Sequence, residues 1–294
     1  MKKRKLISGS DSVLVVTDSQ RVLDILDHSA YLRHIIPDFS ISPTITNGSI
    51  VSLLQGSPAY LPSGLGVNAD FGNIGEGQLC YLIYHLLQRE FLRRNHFVLH
   101  AAAIERGDPI LLVGPSKSGK STLNLEMVLS HNCFSYGDDA IKLELSGNEF
   151  YVLGGNTYVG ISPHHSNDGR LKEDVRGSTS GYVDIGLMGK HSDQRRLLRN
   201  VIFLEPDLLG SNKSKHVPRE IGKIRFYEAV CMELRTVGYC IMSQGLSLPS
   251  LDDGTYSTRL VASLKDSDLE FFSISGSFSQ MVDDVERILD GRFI

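Results

Sequence analysis

The chain carries Gly114-Pro115-Ser116-Lys117-Ser118-Gly119-Lys120-Ser121, a stretch that matches G-x-x-x-x-G-K-[ST] at every defined position. An apolar run, Ile110–Val113, precedes it, and a segment with helical spacing of its apolar residues, Ser121–Ser130, follows it. Strand, loop and helix in this order are the context that a phosphate-binding loop requires. The sequence therefore predicts a nucleoside triphosphate site.

The loop also predicts which residues contact the nucleotide. Its two glycines let backbone N–H groups turn inward around the phosphates, and the following helix points its positive end at the same anion. Lys120 is expected to reach the β- and γ-phosphates, and the Ser121 hydroxyl to ligate Mg²⁺. ATP and Mg²⁺ are the expected cofactors. The residues assigned to nucleotide binding are Gly114, Ser116, Lys117, Ser118, Gly119, Lys120, Ser121 and Thr122.

Two adjacent carboxylates follow the loop at a short distance. Asp138 and Asp139 end a short apolar stretch that begins at Cys133, and Asp138 lies 18 residues after Lys120. A strand end of this kind is where P-loop proteins place the acid that holds Mg²⁺, directly or through water. Neighbouring side chains of an extended segment point to opposite faces. One aspartate is therefore expected to serve the metal while the other faces an acceptor.

The composition is that of a soluble globular protein, with 41% hydrophobic and 22% charged residues. A formal net charge of -4 provides no basic field, so neither nucleic acid nor a membrane is expected as a partner. The longest apolar runs, such as Val201–Leu204, are far shorter than the roughly 20 residues of a membrane-spanning helix. The basic residues 2–5 lead into no apolar stretch, which excludes a signal peptide. Together with four scattered cysteines, these features predict a cytoplasmic protein.

The first third of the chain predicts a small module of its own. Ser12–Val16 has the pattern of a strand and Ser19–Ala30 that of a helix, so residues 1–95 are expected to form a small N-terminal α/β module. Glycines and prolines cluster in Ser57–Gly77, which predicts a loop region. A helix that begins near Leu79 then leads into the second module.

Residues 96–294 are expected to form the P-loop domain. Strand-like runs alternate with helical ones from Phe97 onward, which favours an α/β or α+β fold with a largely parallel sheet. Two polar segments, Ser162–Gly181 and Gly210–His216, have the composition of mobile loops and are expected to cover or recruit an acceptor. Three basic residues, Arg195, Arg196 and Arg199, are expected to form a solvated face, and contact with an acidic peptide acceptor is the alternative.

The order of these motifs resembles that of the HPr kinase/phosphorylase family of protein serine kinases, whose catalytic domain is related to phosphoenolpyruvate carboxykinase. This chain has Leu99-His100-Ala101-Ala102-Ala103, a hairpin turn at Gly107-Asp108, the phosphate loop and Gly137-Asp138-Asp139 in the same order and at closely similar spacings. The resemblance covers about residues 97–145, is weaker to residue 237 and is absent from the first 95 residues. It implies an α/β P-loop kinase domain of the HPr kinase/phosphoenolpyruvate carboxykinase type.

The resemblance also implies roles for individual residues. The second aspartate of the family's pair acts as a base toward the serine hydroxyl, which implies this role for Asp139. The family's histidine implies His100 as an active-site residue, and Asp138 would then support the metal. Lys120 completes the implied catalytic set.

Two further family features are matched less closely. Family members use an arginine to capture phosphate during phosphorolysis, and the segment that includes Val217-Pro218 implies Arg219 or Arg225 for this role. The family's metal-binding glutamate has no equivalent in Tyr151–Thr157, so the second metal ligand is unassigned. Family members often form symmetric oligomers, which implies a homo-oligomer.

These features predict an ATP-dependent kinase that phosphorylates a serine hydroxyl of a peptide or protein acceptor. Divergent relatives of the HPr enzyme occur beside peptide natural-product biosynthesis, where they phosphorylate a serine of a lasso-type precursor peptide, and the divergent N-terminal module favours this subgroup. Two alternatives share the same motifs. One is a nucleotide-gated ATPase or binding protein, and the other is a kinase for a small-metabolite hydroxyl.

Overall fold

A computed structural model describes residues 1–8, 11–42, 49–56, 59–60, 66–161, 165, 171, 181–205, 214–235, 240–241, 246–247, 250–252 and 254–292. The chain divides into two compact units. The first consists of Met1–Phe97 and Cys231–Ser257, and the second of Val98–Val230 and Thr258–Ile294.

The described elements are twenty strands, seven α-helices and one 3-10 helix, Phe71–Asn73. The strands are β1 (Lys2–Ser8), β2 (Asp11–Thr17), β3 (Phe39–Ser42), β4 (Ser49–Gln55), β5 (Ala59–Tyr60), β6 (Gly66–Ala69), β7 (His96–Leu99), β8 (Ala101–Glu105), β9 (Pro109–Val113), β10 (Phe134–Gly137), β11 (Ile141–Ser146), β12 (Glu149–Gly155), β13 (Tyr158–Gly160), β14 (Tyr182–Asp184), β15 (Arg196–Leu197), β16 (Asn200–Leu204), β17 (Lys215–Val217), β18 (Cys240–Ile241), β19 (Leu246–Ser247) and β20 (Glu270–Ile274). The helices are α1 (Gln20–His28), α2 (Ala30–Ile35), α3 (Glu76–Arg93), α4 (Lys120–Ser130), α5 (Arg219–Arg235), α6 (Thr255–Lys265) and α7 (Phe278–Leu289).

The first unit contains a six-stranded sheet in the order β3-β1-β2-β4-β6-β5. β1 and β2 form an antiparallel hairpin, whereas β2, β4 and β6 run parallel. The predicted strand and helix are present as β2 and α1, and the Ser19 hydroxyl caps α1 by accepting a hydrogen bond from the Val22 N–H. In the stretch Ser57–Gly77, which was predicted as a loop region, the structure has β5, β6 and the start of α3, and residues 57–58 and 61–65 lie outside the described residues.

One helix of this unit buries an ionisable side chain. His85 of α3 is 1% exposed, and neither ring nitrogen has a hydrogen-bond partner among the residues that the structure describes. Burial, with a smaller contribution from Arg89, lowers the pKa of His85 to about 4. Between about pH 4 and about pH 6.5, His85 is therefore neutral in the folded protein and protonated in the unfolded chain.

We expect this difference in pKa to make the protein less stable as the pH falls from about 6.5 to about 4, because the unfolded state binds the proton first. The loss is up to roughly 3 kcal/mol, at about 1.4 kcal/mol for each pH unit. Urea unfolding at several pH values measures it. His85→Leu should flatten the slope, whereas the exposed control His28→Gln should not. Equal slopes in wild type and His85→Leu would contradict the expectation.

The second unit is built on a mixed six-stranded sheet in the order β10-β8-β9-β16-β20-β17. Only its centre is parallel, where β16 lies between β9 and β20, while β8, β10 and β17 join antiparallel. The expected largely parallel sheet is thus confined to three strands. The hairpin of β8 and β9 accounts for the difference, because it reverses the chain before the phosphate loop.

A hydrophobic core holds this sheet against α4 and α7. It buries side chains of the sheet, such as Leu112 and Ile202, together with Leu123 of α4 and Val285 of α7. On α5, Gly222 allows a close approach to β20, because a Cβ added there would lie 2.1 Å from the Phe271 ring. The remaining strands form a sheet in the order β15-β12-β11-β7 and a hairpin of β13 and β14.

Among the helices that the structure describes, none combines the length and the apolar character of a membrane-spanning helix.

Candidate active site

Segments distant in sequence meet at one edge of the six-stranded sheet of the second unit, the edge formed by the carboxyl ends of β9 and β16. β9 ends at Val113, and its parallel neighbour β16 ends beside it at Leu204. Ala101, the first residue of the antiparallel strand β8, pairs with Val113, which places His100 at the same edge. β10 pairs with β8 and ends at Gly137. The phosphate loop, His100 and the two aspartates therefore emerge together.

The loop between β9 and α4 has the backbone that the glycines predict. Gly119 adopts a φ of 95° and is the N-cap of α4, a conformation that favours glycine. Gly114 has no room for a side chain, because a Cβ there would lie 2.7 Å from both the Leu204 carbonyl oxygen and Ser118 Oγ. The first turn of α4 contains no acidic residue. Its N–H groups, from Lys120 to Thr122, thus present the positive end of the helix to an anion.

Lys120 is buried inside this loop. It is 4% exposed, and its Nζ donates hydrogen bonds to the carbonyl oxygens of Gly114 at 2.9 Å and Pro115 at 3.1 Å. Ser118 Oγ is also buried and has no hydrogen-bond partner among the described residues. Ser116 and Lys117 are exposed. A buried polar atom of this kind fits a phosphate oxygen, since buried polar groups generally have partners.

Asp138 is almost fully buried, at 1% exposure. The Ser121 hydroxyl donates to its carboxylate, and the Gly160 N–H donates to Oδ2 at 3.4 Å. Oδ1 is buried and has no hydrogen-bond partner in the described part of the chain. Burial and, to a smaller extent, Asp139 raise the pKa of Asp138. A hydroxyl beside a carboxylate with one uncommitted oxygen suits Mg²⁺, which prefers oxygen ligands.

Asp139 lies in a different environment from its neighbour. Its backbone is left-handed, with a φ of 62°, and the chain bends at both aspartates. The extended segment expected from the sequence is therefore replaced by a bend after Gly137, and the two side chains differ in burial. The Asp139 side chain is 38% exposed, and its Oδ1 lies 3.7 Å from His100 Nδ1. It is open to an approaching acceptor.

His100 is held beside this carboxylate. Its ring makes a hydrogen bond with the Asp139 main chain, and its side chain is 42% exposed. Partial burial, followed by the positive charge of Lys120, lowers the pKa of His100, although Asp139 acts in the opposite direction. The imidazole is therefore neutral at neutral pH.

Two asparagines that the sequence did not indicate fix the main chain around Asp138. Asn156 Nδ2 donates to the Asp138 carbonyl oxygen at 2.5 Å, and the Asp138 N–H donates to Asn156 Oδ1 at 3.3 Å. Asn124 Nδ2 donates to the Gly137 carbonyl oxygen at 3.0 Å. Among the described residues, no group of three or more His, Cys, Asp or Glu side chains could hold a metal, so the second metal ligand stays unassigned.

Tyr182 is a further residue at the site that sequence reasoning missed. It lies on β14, directly opposite Gly160 of β13. Side chains of such a pair share a face, and a Cβ on Gly160 would lie 4.0 Å from Asp138 Oδ2 and 3.9 Å from Ser121 Oγ. Burial, Asp139 and Asp138 raise the pKa of Tyr182. Its phenol therefore remains a hydrogen-bond donor at neutral pH.

The structure separates the two arginines that were assigned to phosphate capture. Arg219 Nε donates to Glu270 Oε1 at 3.0 Å. Glu270 is the first residue of β20 and pairs with Asn200, the first residue of β16. It therefore lies at the edge opposite the phosphate loop, about 13 Å along β20 from Ile274 at the other end of the strand. Arg225 instead lies near the loop edge, where it donates to Glu205 Oε1 at 2.9 Å and stacks 4.0 Å from the Phe203 ring centroid.

Most of the two predicted loop segments, Ser162–Gly181 and Gly210–His216, lies outside the described residues. In the first, His165 is buried, and its Nε2 lies 2.8 Å from Glu126 Oε2 of α4. Among the three basic residues, Arg195 Nε donates to Glu144 at 2.7 Å, and its guanidinium lies 3.4 Å from the Tyr151 ring centroid.

No protein-family model matches this chain, and no curated protein matches it. A comparison with solved structures finds a distant similarity to the HPr(Ser) kinase/phosphatase from Coxiella burnetii, with a TM-score of 0.33 and 11% sequence identity. The match covers 66% of this chain and 98% of that chain. A likeness at this level is too weak to decide the function, which is therefore argued from the residues of the site.

Proposed function

We propose that the second unit is an ATP- and Mg²⁺-dependent kinase that phosphorylates a serine hydroxyl of a peptide or protein acceptor. The observation that carries the proposal is the contrast between two neighbouring carboxylates. Asp138 is 1% exposed and bonded to Ser121 at the start of the helix that follows the phosphate loop. Asp139 is 38% exposed and lies beside His100. One suits a metal and the other suits an acceptor.

The residues of the loop would bind and orient ATP. The loop N–H groups and the first turn of α4 would bind the phosphate oxygens, and Lys120 would donate to the β- and γ-phosphates. Ser121 and Asp138 are the residues that would hold Mg²⁺. When bound, this ion neutralises the charge that develops on the phosphate oxygens. Arg225 lies near the same edge and is the better placed of the two arginines to contact a phosphate.

Asp139 would act as the base. In the proposed step it accepts the proton of the serine hydroxyl while that oxygen bonds to the γ-phosphorus. The bond from the γ-phosphorus to the bridging oxygen breaks, and ADP leaves with that electron pair. His100 would hold Asp139 in place through its hydrogen bond to the Asp139 main chain. The neutral phenol of Tyr182 would donate a hydrogen bond near the transferred group.

The exposure of Asp139 and His100 supports an acceptor of macromolecular size. Both side chains reach solvent at the end of the sheet, so a serine on a flexible peptide can approach them. A small metabolite would more commonly bind in a cleft that buries most of its surface. A serine of a lasso-type precursor peptide is the acceptor that we propose within this class.

The test is acceptor-dependent phosphorylation. Purified protein would be incubated with ATP, Mg²⁺ and a set of serine-containing peptides, including lasso-type precursors, and the products analysed by mass spectrometry. We expect phosphoserine that requires both Mg²⁺ and Asp139. Steady ATP hydrolysis with no phosphorylated peptide would contradict the proposal and favour a nucleotide-gated ATPase. Phosphorylation confined to small hydroxy compounds would favour the metabolite kinase.

A further inference from the structure

We propose that Asn124 and Asn156 are positioning residues for magnesium, which hold the Asp138 main chain so that its carboxylate and the Ser121 hydroxyl can share one ion. This inference rests on the proposed function and assigns a role to two side chains outside the predicted motifs. Asn156 acts on the ligand through the backbone of Asp138.

The hydrogen bonds fix both peptide groups that flank the Asp138 Cα. The Gly137 carbonyl oxygen accepts from Asn124 at 3.0 Å, and the N–H of the same peptide group donates to Asn156 at 3.3 Å. The Asp138 carbonyl oxygen, in the next peptide group, accepts from Asn156 at 2.5 Å. With both peptide planes held, the direction of the Asp138 Cα–Cβ bond is fixed, and this limits the positions that the carboxylate can occupy.

The chemistry of the side chain explains why an asparagine stands at position 156. Only an amide presents a donor and an acceptor side by side, which one residue needs to bond both an N–H and a carbonyl oxygen. An ionised aspartate would lack the donor. Asn156 is 2% exposed. Gly137 has a φ of 142°, and a Cβ added to it would lie 2.5 Å from the Asn156 carbonyl oxygen, so the two main-chain segments approach each other closely. This close approach brings the Asn156 side chain within hydrogen-bond distance of the Asp138 main chain.

Asn124 connects the two segments that carry the metal ligands. It lies three residues after Ser121 on α4, so the two side chains lie on neighbouring positions of one helix face. Its bond to Gly137 therefore connects the helix that carries the hydroxyl to the peptide that carries the carboxylate. Asn124 is 0% exposed, and its Oδ1 has no hydrogen-bond partner within the described residues.

The experiment separates metal positioning from folding by measuring binding with and without magnesium. A fluorescent, non-hydrolysable ATP analogue would be titrated into wild type, Asn124→Ala and Asn156→Ala, once with Mg²⁺ and once with EDTA. Loss of such an outer partner costs roughly 10–100-fold in metal affinity. We expect Mg²⁺ to enhance nucleotide binding about 10–100-fold less in each variant. Binding in EDTA should change less than about twofold, because the phosphate loop is untouched.

Controls keep the outcome decisive. Asn132→Gly removes an exposed asparagine whose side chain bonds Lys190, and it should leave both titrations unchanged. Mn²⁺ alone, followed by its electron paramagnetic resonance signal, reports the metal site without nucleotide.

Equal losses with Mg²⁺ and with EDTA would overturn the positioning role. If Asn156→Ala does not fold, Asn124→Ala, which removes one bond, decides the question. A wild type that binds neither Mn²⁺ nor nucleotide contradicts the proposed function itself.

Discussion

Asp139→Asn should lower the rate of phosphoryl transfer by on the order of 10²–10⁴ while leaving the affinity for Mg²⁺-ATP within about twofold of wild type. The amide keeps the size of the side chain and its place 3.7 Å from His100, but it cannot accept the serine proton. Binding should persist because Asp138, Ser121 and the phosphate loop are unchanged. Single-turnover transfer to an identified peptide acceptor measures the rate, and a nucleotide titration measures the affinity.

Two other carboxylates make this prediction specific. Asp138→Asn should weaken Mg²⁺-dependent nucleotide binding, because Asp138 is the buried partner of Ser121. Asp108→Asn, at the exposed turn between β8 and β9, should change neither quantity. Unchanged turnover in Asp139→Asn would remove the base assignment. Loss of binding in that variant would instead place Asp139 among the metal ligands.

The parts of the site that the sequence predicts lie close together in the chain. The phosphate loop occupies eight consecutive residues, and the local conformations of Gly119 and Gly114 follow from the absence of a side chain. The strand before it and the helix after it were predicted for the same reason, since hydrophobic periodicity is a local signal. The mixed α/β character of the chain follows from these local patterns as well.

Two residues that sequence reasoning missed, Asn156 and Tyr182, reach the site through the pairing of strands, whereas Asn124 reaches it on α4, the helix after the phosphate loop. Asn156 meets Asp138 across 18 residues, and Tyr182 comes opposite Gly160 only in the register of β13 and β14. Neither has a motif around it. Glu205 is visible in the sequence as an acid that directly follows the apolar run of β16. Its place near the phosphate loop, however, follows only from the parallel pairing of β16 with β9. Register and strand order are properties of the folded chain.

The two arginines illustrate the same limit at a single helix. Arg219 and Arg225 are six residues apart on α5, and the sequence treats them alike. Glu270 stands at the first residue of β20, and Glu205 follows the last residue of β16. Because these two strands are parallel, their opposite ends lie at opposite edges of the sheet. The partner carboxylates, which are distant in sequence, therefore determine which arginine is near the phosphate loop.

Lys120→Met should weaken ATP binding by roughly 100-fold, the effect of losing charge-assisted hydrogen bonds to phosphate. The methionine keeps an unbranched, buried side chain, so the packing that surrounds this 4% exposed residue should survive. In the absence of ligand the ammonium donates to the carbonyl oxygens of Gly114 and Pro115, which hold it inside the loop. ATP would compete for the same donors. A nucleotide titration in EDTA measures the effect without the metal.

The neighbouring lysine is the matched control, because it removes the same charge from the same loop. Lys117 is exposed and has a φ of 67°, which a glycine adopts without strain. Lys117→Gly retains the backbone N–H, so its nucleotide affinity should stay within about threefold of wild type, with only the long-range charge lost. Equal losses in the two variants would mean that the net charge of the loop drives binding. A loss confined to Lys120→Met would place the interaction at its buried ammonium, where the geometry directs it toward the phosphates.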